Sequence, residues 1–422
     1  MEKSGKFRLT SLERNWILYD VGNSAFVLMV ATLIPIFFNA LAAAGGLSSV
    51  EYLAYWGYAS SAVTIITAVL SPILGTVADT KGFKKPIFIL CVFVGIVGCC
   101  AMGAASAWLP FLVIFVIAKV GFSGSLVFYD SMLSDVTTPE RMDEVSSRGY
   151  AWGYIGSCVP FVVCLGLVLG AGSIGISQMT ALNLALLLTA AWWLLTTLPL
   201  LKSYKQLYYV EVEKHAVRQS FARIGHTLRH LPEDKQVFWF LLAFFCYIDG
   251  VYTIIDMATA YGTALGLDTT GLLLALLVTQ IVAFPSALIF GRLSNKYPSA
   301  KLIPVCIAAY AGIAVFAFFL TRQWQFWVLA VIVGMFQGGV QALSRSHFAK
   351  IIPPEKSGEY FGLFDICGKG ASFLGTMIVS VGSQLTGSAN VGVGSLIVLF
   401  IVGFVLFRVS CLTCLRAGPS PA

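Results

Sequence analysis

Twelve times along this chain an apolar stretch recurs that is long enough to cross a bilayer as a helix, which takes about 20 residues. The stretches fall at about 15–41, 52–77, 86–107, 109–132, 149–171 and 178–201, then at about 237–262, 268–292, 301–321, 324–347, 360–383 and 391–410. Only 11% of the residues are charged, against roughly 25% in a soluble domain, so a surface facing water on all sides cannot be covered. The expectation is an all-α polytopic membrane protein with twelve transmembrane helices in two pseudo-symmetric six-helix bundles. Residues 1–201 and 237–422 are the bundles, and 202–236 is a polar connector. After Lys3, Lys6, Arg8 and Arg14 no small-residue cleavage site follows a short apolar core, so the first stretch reads as a retained span and not a signal peptide.

The basic residues report orientation. One face of the twelve-span arrangement holds 24 of the 27 lysines and arginines; the opposite face holds Arg322, and Lys119 and Lys369 lie inside spans. The positive-inside rule puts the first face, with both termini, in the cytoplasm. The net charge of +7 therefore reflects the membrane and gives no sign of nucleic-acid binding. In the connector, Val217, Phe221, Ile224, Leu228 and Leu231 form an apolar stripe at helical spacing, as expected of a linker helix lying against the cytoplasmic ends of the bundles or against the lipid surface.

The two halves echo each other. Gly75-Thr-Val-Ala-Asp79-Thr-Lys81-Gly82-Phe83-Lys84-Lys85 follows the second span, and Gly291-Arg-Leu-Ser-Asn295-Lys296 follows the eighth. The first copy resembles the loop signature of the major facilitator superfamily; the second has Asn295 where the acid would stand. That resemblance implies the superfamily's twelve-helix fold, with spans 1, 4, 7 and 10 lining a central path, and a conformational latch at Gly75, Asp79, Lys84 and Lys85.

Further segments narrow the resemblance. They are Tyr19-Asp-Val-Gly-Asn-Ser-Ala-Phe26, Arg148-Gly-Tyr-Ala-Trp-Gly-Tyr-Ile-Gly156 and Tyr247-Ile-Asp-Gly-Val-Tyr-Thr253, with Gly338-Gly-Val-Gln-Ala-Leu-Ser-Arg-Ser346 and Phe361-Gly-Leu-Phe-Asp-Ile-Cys-Gly-Lys369. Together they are similar to the family of autophagy-related vacuolar amino-acid effluxers and its bacterial "unknown major facilitator" branch. What this implies is efflux of amino acids or similar small organic solutes.

Ionisable groups inside spans are expensive, on the order of 3 kcal/mol each by insertion scales, so they face a cavity or a partner. Asp20, Asp249, Lys119 and Lys369 bring both signs of charge near the midplane, the arrangement a zwitterion needs. Asn23, Tyr154, Tyr252, Gln337 and Gln341 are candidates to complete the solute site; Gln337 and Gln341 share one helix face. Asp365 precedes Lys369 by four residues, so an intrahelical ion pair is an equal reading of both. Asp20, Asp249 and Asp256 are candidate proton carriers, since a carboxyl desolvated by closure of a cavity binds a proton more tightly. Asp130 and Arg345, near the inner ends of the fourth and tenth spans, read as gate or loop-anchoring residues.

The expectation is thus alternating-access transport of a small polar or zwitterionic, amino-acid-like solute, in a monomer of the bacterial inner membrane. A proton or another ion is the candidate coupling partner. A lipid, lysolipid or amphipathic drug transporter of the same fold is the alternative. Enzyme chemistry is disfavoured: His215, His226, His230 and His347 all lie in the connector or near an inner helix end, and no phosphate-binding loop is present. Cys91, Cys99, Cys100, Cys158, Cys164, Cys246, Cys306 and Cys367 read as buried thiols. Cys411 and Cys414 are too isolated to argue for a metal, and no cofactor is expected.

Overall fold

Inside a bilayer a backbone satisfies its own polar groups by becoming helical, and each apolar stretch does so here. The structure is a computed structural model that describes residues 7–211, 225–227 and 229–417. Its spans are α1 (Ser11–Ala44), α2 (Ser49–Ala78), α3 (Lys84–Gly103), α4 (Trp108–Ser131), α5 (Met142–Leu169) and α6 (Gln178–Ser203). The second six are α7 (Lys235–Ala264), α8 (Thr269–Leu293), α9 (Ser299–Phe318), α10 (Gln323–Ile351), α11 (Ser357–Thr386) and α12 (Ile397–Ala417). Twelve spans return the chain to the face from which it started.

Local chemistry explains the helix ends and the one break. Thr10 and Glu13 form a reciprocal capping box that starts α1. The helix is interrupted at Thr32, three residues before Pro35, whose ring and missing N–H disrupt the preceding turn. α5 begins at Met142, about two turns before its apolar stretch. The acids of that extension are matched: Asp143 by Lys350 at 2.7 Å, and Glu144 by Arg148 and by Asn295.

Within the first six helices α1 packs on α5 and α6, and α4 on α2 and α3; within the second, α7 packs on α11 and α12, and α8 on α10. Small residues allow the close approaches, as expected where lipid supplies no hydrophobic drive between helices. A Cβ on Gly98 of α3 would lie 2.6 Å from the Ala118 Cβ of α4. The seams between the two groups are α2 with α11, and α5 with α8 and α10.

The connector's opening segment straps across the loop between α2 and α3. Tyr204 Oη donates to Asp135 (2.6 Å), the Leu207 and Tyr208 amides donate to its other oxygen, and the Val210 amide donates to the Asp79 carbonyl. Of the connector's apolar stripe, Val217, Phe221, Ile224 and Leu228 lie outside the described residues.

The packing yields a stability test. Gly98→Leu forces α3 away from α4 and is expected to destabilise by about 2 kcal/mol, as overpacking does. Gly57→Leu adds the same side chain where no atom lies within 4 Å and leaves stability unchanged. Thermal unfolding in detergent separates them; equal melting temperatures would contradict the packing described.

Candidate functional site

The polar contacts between the two six-helix groups collect on one side of the membrane. Among the described residues they run from Trp152–Phe284 and Tyr154–Gln341, halfway along α5, toward the face that carries the basic loops. That face is shut by three sets of contacts.

The first set is the loop after α2. The Asp79 carboxylate accepts from the Gly358 amide (2.7 Å) and the Glu359 amide (2.8 Å) at the start of α11, where free N–H groups and the helix dipole favour an anion. Lys84 is fully buried; its Nζ donates to Ser357 Oγ (2.8 Å) and lies 3.4 Å from Asp135 and 3.8 Å from Asp79. Burial pushes the Asp79 carboxyl up to about 7, against the opposing pull of Lys84 and the two amides. A Cβ on Gly75 would overlap the Gly358 carbonyl. Lys85, expected in the latch, instead donates to the Tyr204 carbonyl of the connector.

The second set repeats the first about the other seam. Asn295 Nδ2 donates to Glu144 Oε2 (2.9 Å) at the start of α5, and a Cβ on Gly291 would lie 2.8 Å from Ser147 Cβ. Where the first loop has an acid gripping amides, the second has an amide gripping an acid. Asp143 adds Ser346 Oγ (2.6 Å) and Lys350 Nζ.

The third set is central. Arg345 of α10 is buried among residues of the other half. Its Nη1 lies 3.0 Å from Asp130 and 3.7 Å from Asp20, its Nε donates to Ser146 Oγ (2.9 Å), and its Nη2 donates to the Ser146 carbonyl (3.0 Å). The guanidinium also lies over the Tyr150 and Trp16 rings at 4.3 and 4.7 Å, contacts that stabilise a desolvated cation.

Several expectations need correction. Asp20 belongs to this gate and not to a solute cavity, because Arg345 reaches it from α10. Asp249 is fully buried and tied inside its own half: the Gly375 amide of α11 donates to both of its oxygens at 2.9 Å, and Thr253 Oγ1 donates at 3.3 Å. It is a tether between α7 and α11, with no water-facing oxygen to offer a solute or a proton. Asp365 accepts from Ser71 Oγ across the halves (2.7 Å); the side chain of Lys369 lies outside the described residues. Asn23 is buried and donates to the Tyr19 carbonyl at 3.1 Å. Tyr154 Oη donates to Gln341 Oε1 (3.0 Å), which bridges α5 and α10.

Beyond these contacts two charges from opposite halves keep access to solvent: Lys119 of α4 and Asp256 of α7. The Lys119 ammonium lies near enough to act electrostatically on the Asp256 carboxylate, and it sits over the Phe122 and Phe26 rings at 4.7 and 5.9 Å. An acid exposed within a span faces water and not acyl chains. Tyr252, one turn below Asp256, feels Asp256, Asp130, Asp365 and Arg345, so it lies between this pair and the gate. A separate apolar cavity of about 60 Å³ lies within the second half, lined by Ile255, Met257, Tyr261, Leu329, Val333 and Gln337 and not by Asp256. The Gln337 Oε1 there finds no hydrogen-bond partner among the described residues.

Sequence reasoning missed Asp135, Asp143, Glu144, Ser146 and Gly358. The repeat held one usable signal: if loop 75–85 grips the start of α11, its counterpart at 291–296 must grip the start of α5, where Asp143 and Glu144 stand.

The chain matches known proteins over most of its length. The family profile described as "Vacuole effluxer Atg22 like" matches residues 11–140 and 134–412. The chain is 42% identical over 404 residues, 94% of each protein, to the "Uncharacterized MFS-type transporter YxiO" of Bacillus subtilis (strain 168). Among solved structures it resembles the human organic anion transporter MFSD10 (TM-score 0.73, 14% identity, covering 94% of this chain and 98% of that one). It also resembles the major facilitator transporter FucP in its outward conformation (TM-score 0.70, 16% identity, covering 95% and 97%). At these identities the structural likeness shows the fold.

Two predictions follow from the contacts. Arg345→Met leaves the half-buried Asp130 without the cation that reaches it from the other half, a loss on the order of 3–5 kcal/mol, so the basic face opens. Labelling of Ser147→Cys by a water-soluble maleimide is then at least about tenfold faster than in the otherwise wild-type background; an unchanged rate would refute the gate. Asp249→Ala strands the Gly375 N–H and destabilises by about 1–3 kcal/mol, while solute affinity in the folded fraction stays at the wild-type value. A selective loss of affinity at unchanged melting temperature would restore Asp249 to the solute site.

Proposed function

This chain belongs to the vacuole effluxer Atg22-like family of major facilitator transporters, and from that footing we propose that it moves a small zwitterionic, amino-acid-like solute by alternating access, in the direction of efflux. The observation that carries the reading is the Lys119–Asp256 pair. Asp256 is exposed and Lys119 half-buried over the Phe26 and Phe122 rings, and these opposite charges, one from each half, lie near enough to act on each other. A carboxylate on Lys119 and an ammonium on Asp256 would be held by charge-assisted hydrogen bonds. The solute would thereby join the halves. Phe26 and Phe122 form the apolar wall, and Tyr252 separates the solute from the gate.

Residues 1–201 and 237–422 act as the two rocking bodies, and 202–236 as the link between them. The basic face is cytoplasmic by the positive-inside rule, which makes the conformation described here outward-facing; the likeness to FucP in its outward conformation supports this. Closure of the outer side and release of Asp79, Asn295 and Arg345 would open the path to the cytoplasm. The membrane is the bacterial inner membrane, the acting unit a monomer, and no cofactor takes part. A second reading, transport of a lipid, lysolipid or amphipathic drug, draws support from the apolar cavity lined by Met257, Tyr261, Leu329 and Val333.

Counterflow in proteoliposomes tests the reading. A panel of radiolabelled amino acids is expected to give exchange in the wild type. Lys119→Gln and Asp256→Asn each lose at least about tenfold, the worth of one charged hydrogen bond. Wild-type rates in both variants would sink the zwitterion site. Exchange of lysolipid with none of any amino acid would select the second reading.

A further inference from the structure

Two carboxylates share one guanidinium in the gate. Arg345 is 2% exposed and Asp20 7% exposed, and Asp130 closes the same cluster from α4. Among the described residues Arg345 is the one cation in contact with either acid. The groups facing Asp20 are Tyr19 and Asn23 on its own helix, Tyr129 and Asp130 on α4, Tyr150 and Tyr154 on α5, and Arg345 on α10. From α7 and α11, Tyr252 and Asp365 face Asp130. With both gate acids ionised, the contact cluster would hold a net charge of −1, and the excess would fall on Asp20, the more buried of the two acids, a state that buried groups escape by binding a proton.

The hydrogen bonds show which acid is the neutral one. Glu13, Asp79, Asp135, Asp143, Glu144 and Asp249 each accept at least one hydrogen bond of 3.0 Å or shorter. Asp130 accepts from Arg345 at 3.0 Å. Asp20 closes no such bond: Asn23 Nδ2 stands at 3.5 Å and Arg345 Nη1 at 3.7 Å, and the Tyr129 hydroxyl that faces it and its own Oδ2 are both buried without a hydrogen bond of good geometry among the described residues. A buried carboxylate is held ionised by two or three good donors; Asp20 has the environment of a carboxylic acid.

We infer that the gate at Arg345 is a one-proton site: Asp20 binds a single proton when the basic face closes and releases it when Arg345 withdraws. In the closed state Arg345 and ionised Asp130 neutralise each other, and neutral Asp20 completes the cluster. When the basic face opens, Arg345 leaves with α10, water reaches Asp20, and the proton dissociates to the basic side as Asp20 ionises. Closing again requires one proton. A proton that enters from the opposite vestibule and leaves at the basic face is carried across, so this step would couple the solute cycle to a proton gradient. The coupling rests on the transport reading above; the proton site does not.

The test therefore reads the gate without any solute. Spin labels on Glu140→Cys and Lys296→Cys, exposed positions on opposite halves at the basic face, report its closure by distance across pH 4–9. Asp79 lies at the same face and also titrates, so the proton count is taken as a difference between variants. The open-to-closed ratio of the wild type is expected to climb with pH by up to tenfold per unit more steeply than that of Asp20→Asn, the slope of one proton. Asp130→Asn, which leaves one acid for one cation, loses the same slope. Circular dichroism and monodisperse elution establish that both isosteric variants are folded. Equal slopes in wild type and Asp20→Asn would overturn the inference, as would a difference of two protons. Should the slope difference appear while no amino acid exchanges, the proton site stands and the solute reading falls.

Discussion

One long side chain decides how this molecule closes. Arg345 leaves α10 and ends among α1, α4 and α5, where Asp130, Ser146, Tyr150 and Trp16 surround it. An arginine in a membrane interior is tolerated only where its charge and its donors are satisfied, and here all of that satisfaction comes from the other half. The guanidinium is thus stable only while the halves are together on this side. A charge matched across a seam makes the closed arrangement a discrete state, because a small separation strands both the cation and its acids.

The outer seams use gentler contacts, arranged by the internal repeat. Loop 75–85 offers a carboxylate to the first amides of α11; loop 291–296 offers an amide to a carboxylate in the first turn of α5. The polarity is inverted while the geometry is kept: a helix-ending glycine touches the partner helix, and a short side chain four residues on makes the hydrogen bond. Asn295 reads as a degenerate copy only when the loop is considered alone. Paired with Glu144 it is the complement. The connector strap on Asp135 and on the Asp79 carbonyl links the first of these latches to the segment that joins the halves.

The division of labour among the acids follows from neighbours. Asp249 and Asp256 are seven residues apart on α7, hence nearly on one azimuth and about 10 Å apart along the axis. At the first level Gly375 brings the α11 backbone close enough to donate to Asp249. At the second, Lys119 of the other half acts on Asp256, which is exposed. One helix face therefore carries an internal tether and a solvent-facing acid.

The sequence by itself determined the twelve spans, the basic face and the need for opposite charges in the membrane interior, because span length, hydropathy and charge asymmetry are local properties with large free energies. It also singled out the Gly75–Asp79 loop, Asp130 with Arg345, and Lys119. Only the tertiary structure decided which acids are engaged and which remain open. The partner of Arg345 lies 215 positions away, that of Asp249 is a backbone amide 126 positions away, and Asp20 meets the same arginine only at 3.7 Å. Helical periodicity sets the direction and depth at which a side chain leaves its own helix. It is silent about what another helix brings to meet it, and in a low-dielectric interior that meeting decides whether a charge is locked, protonated or open to water.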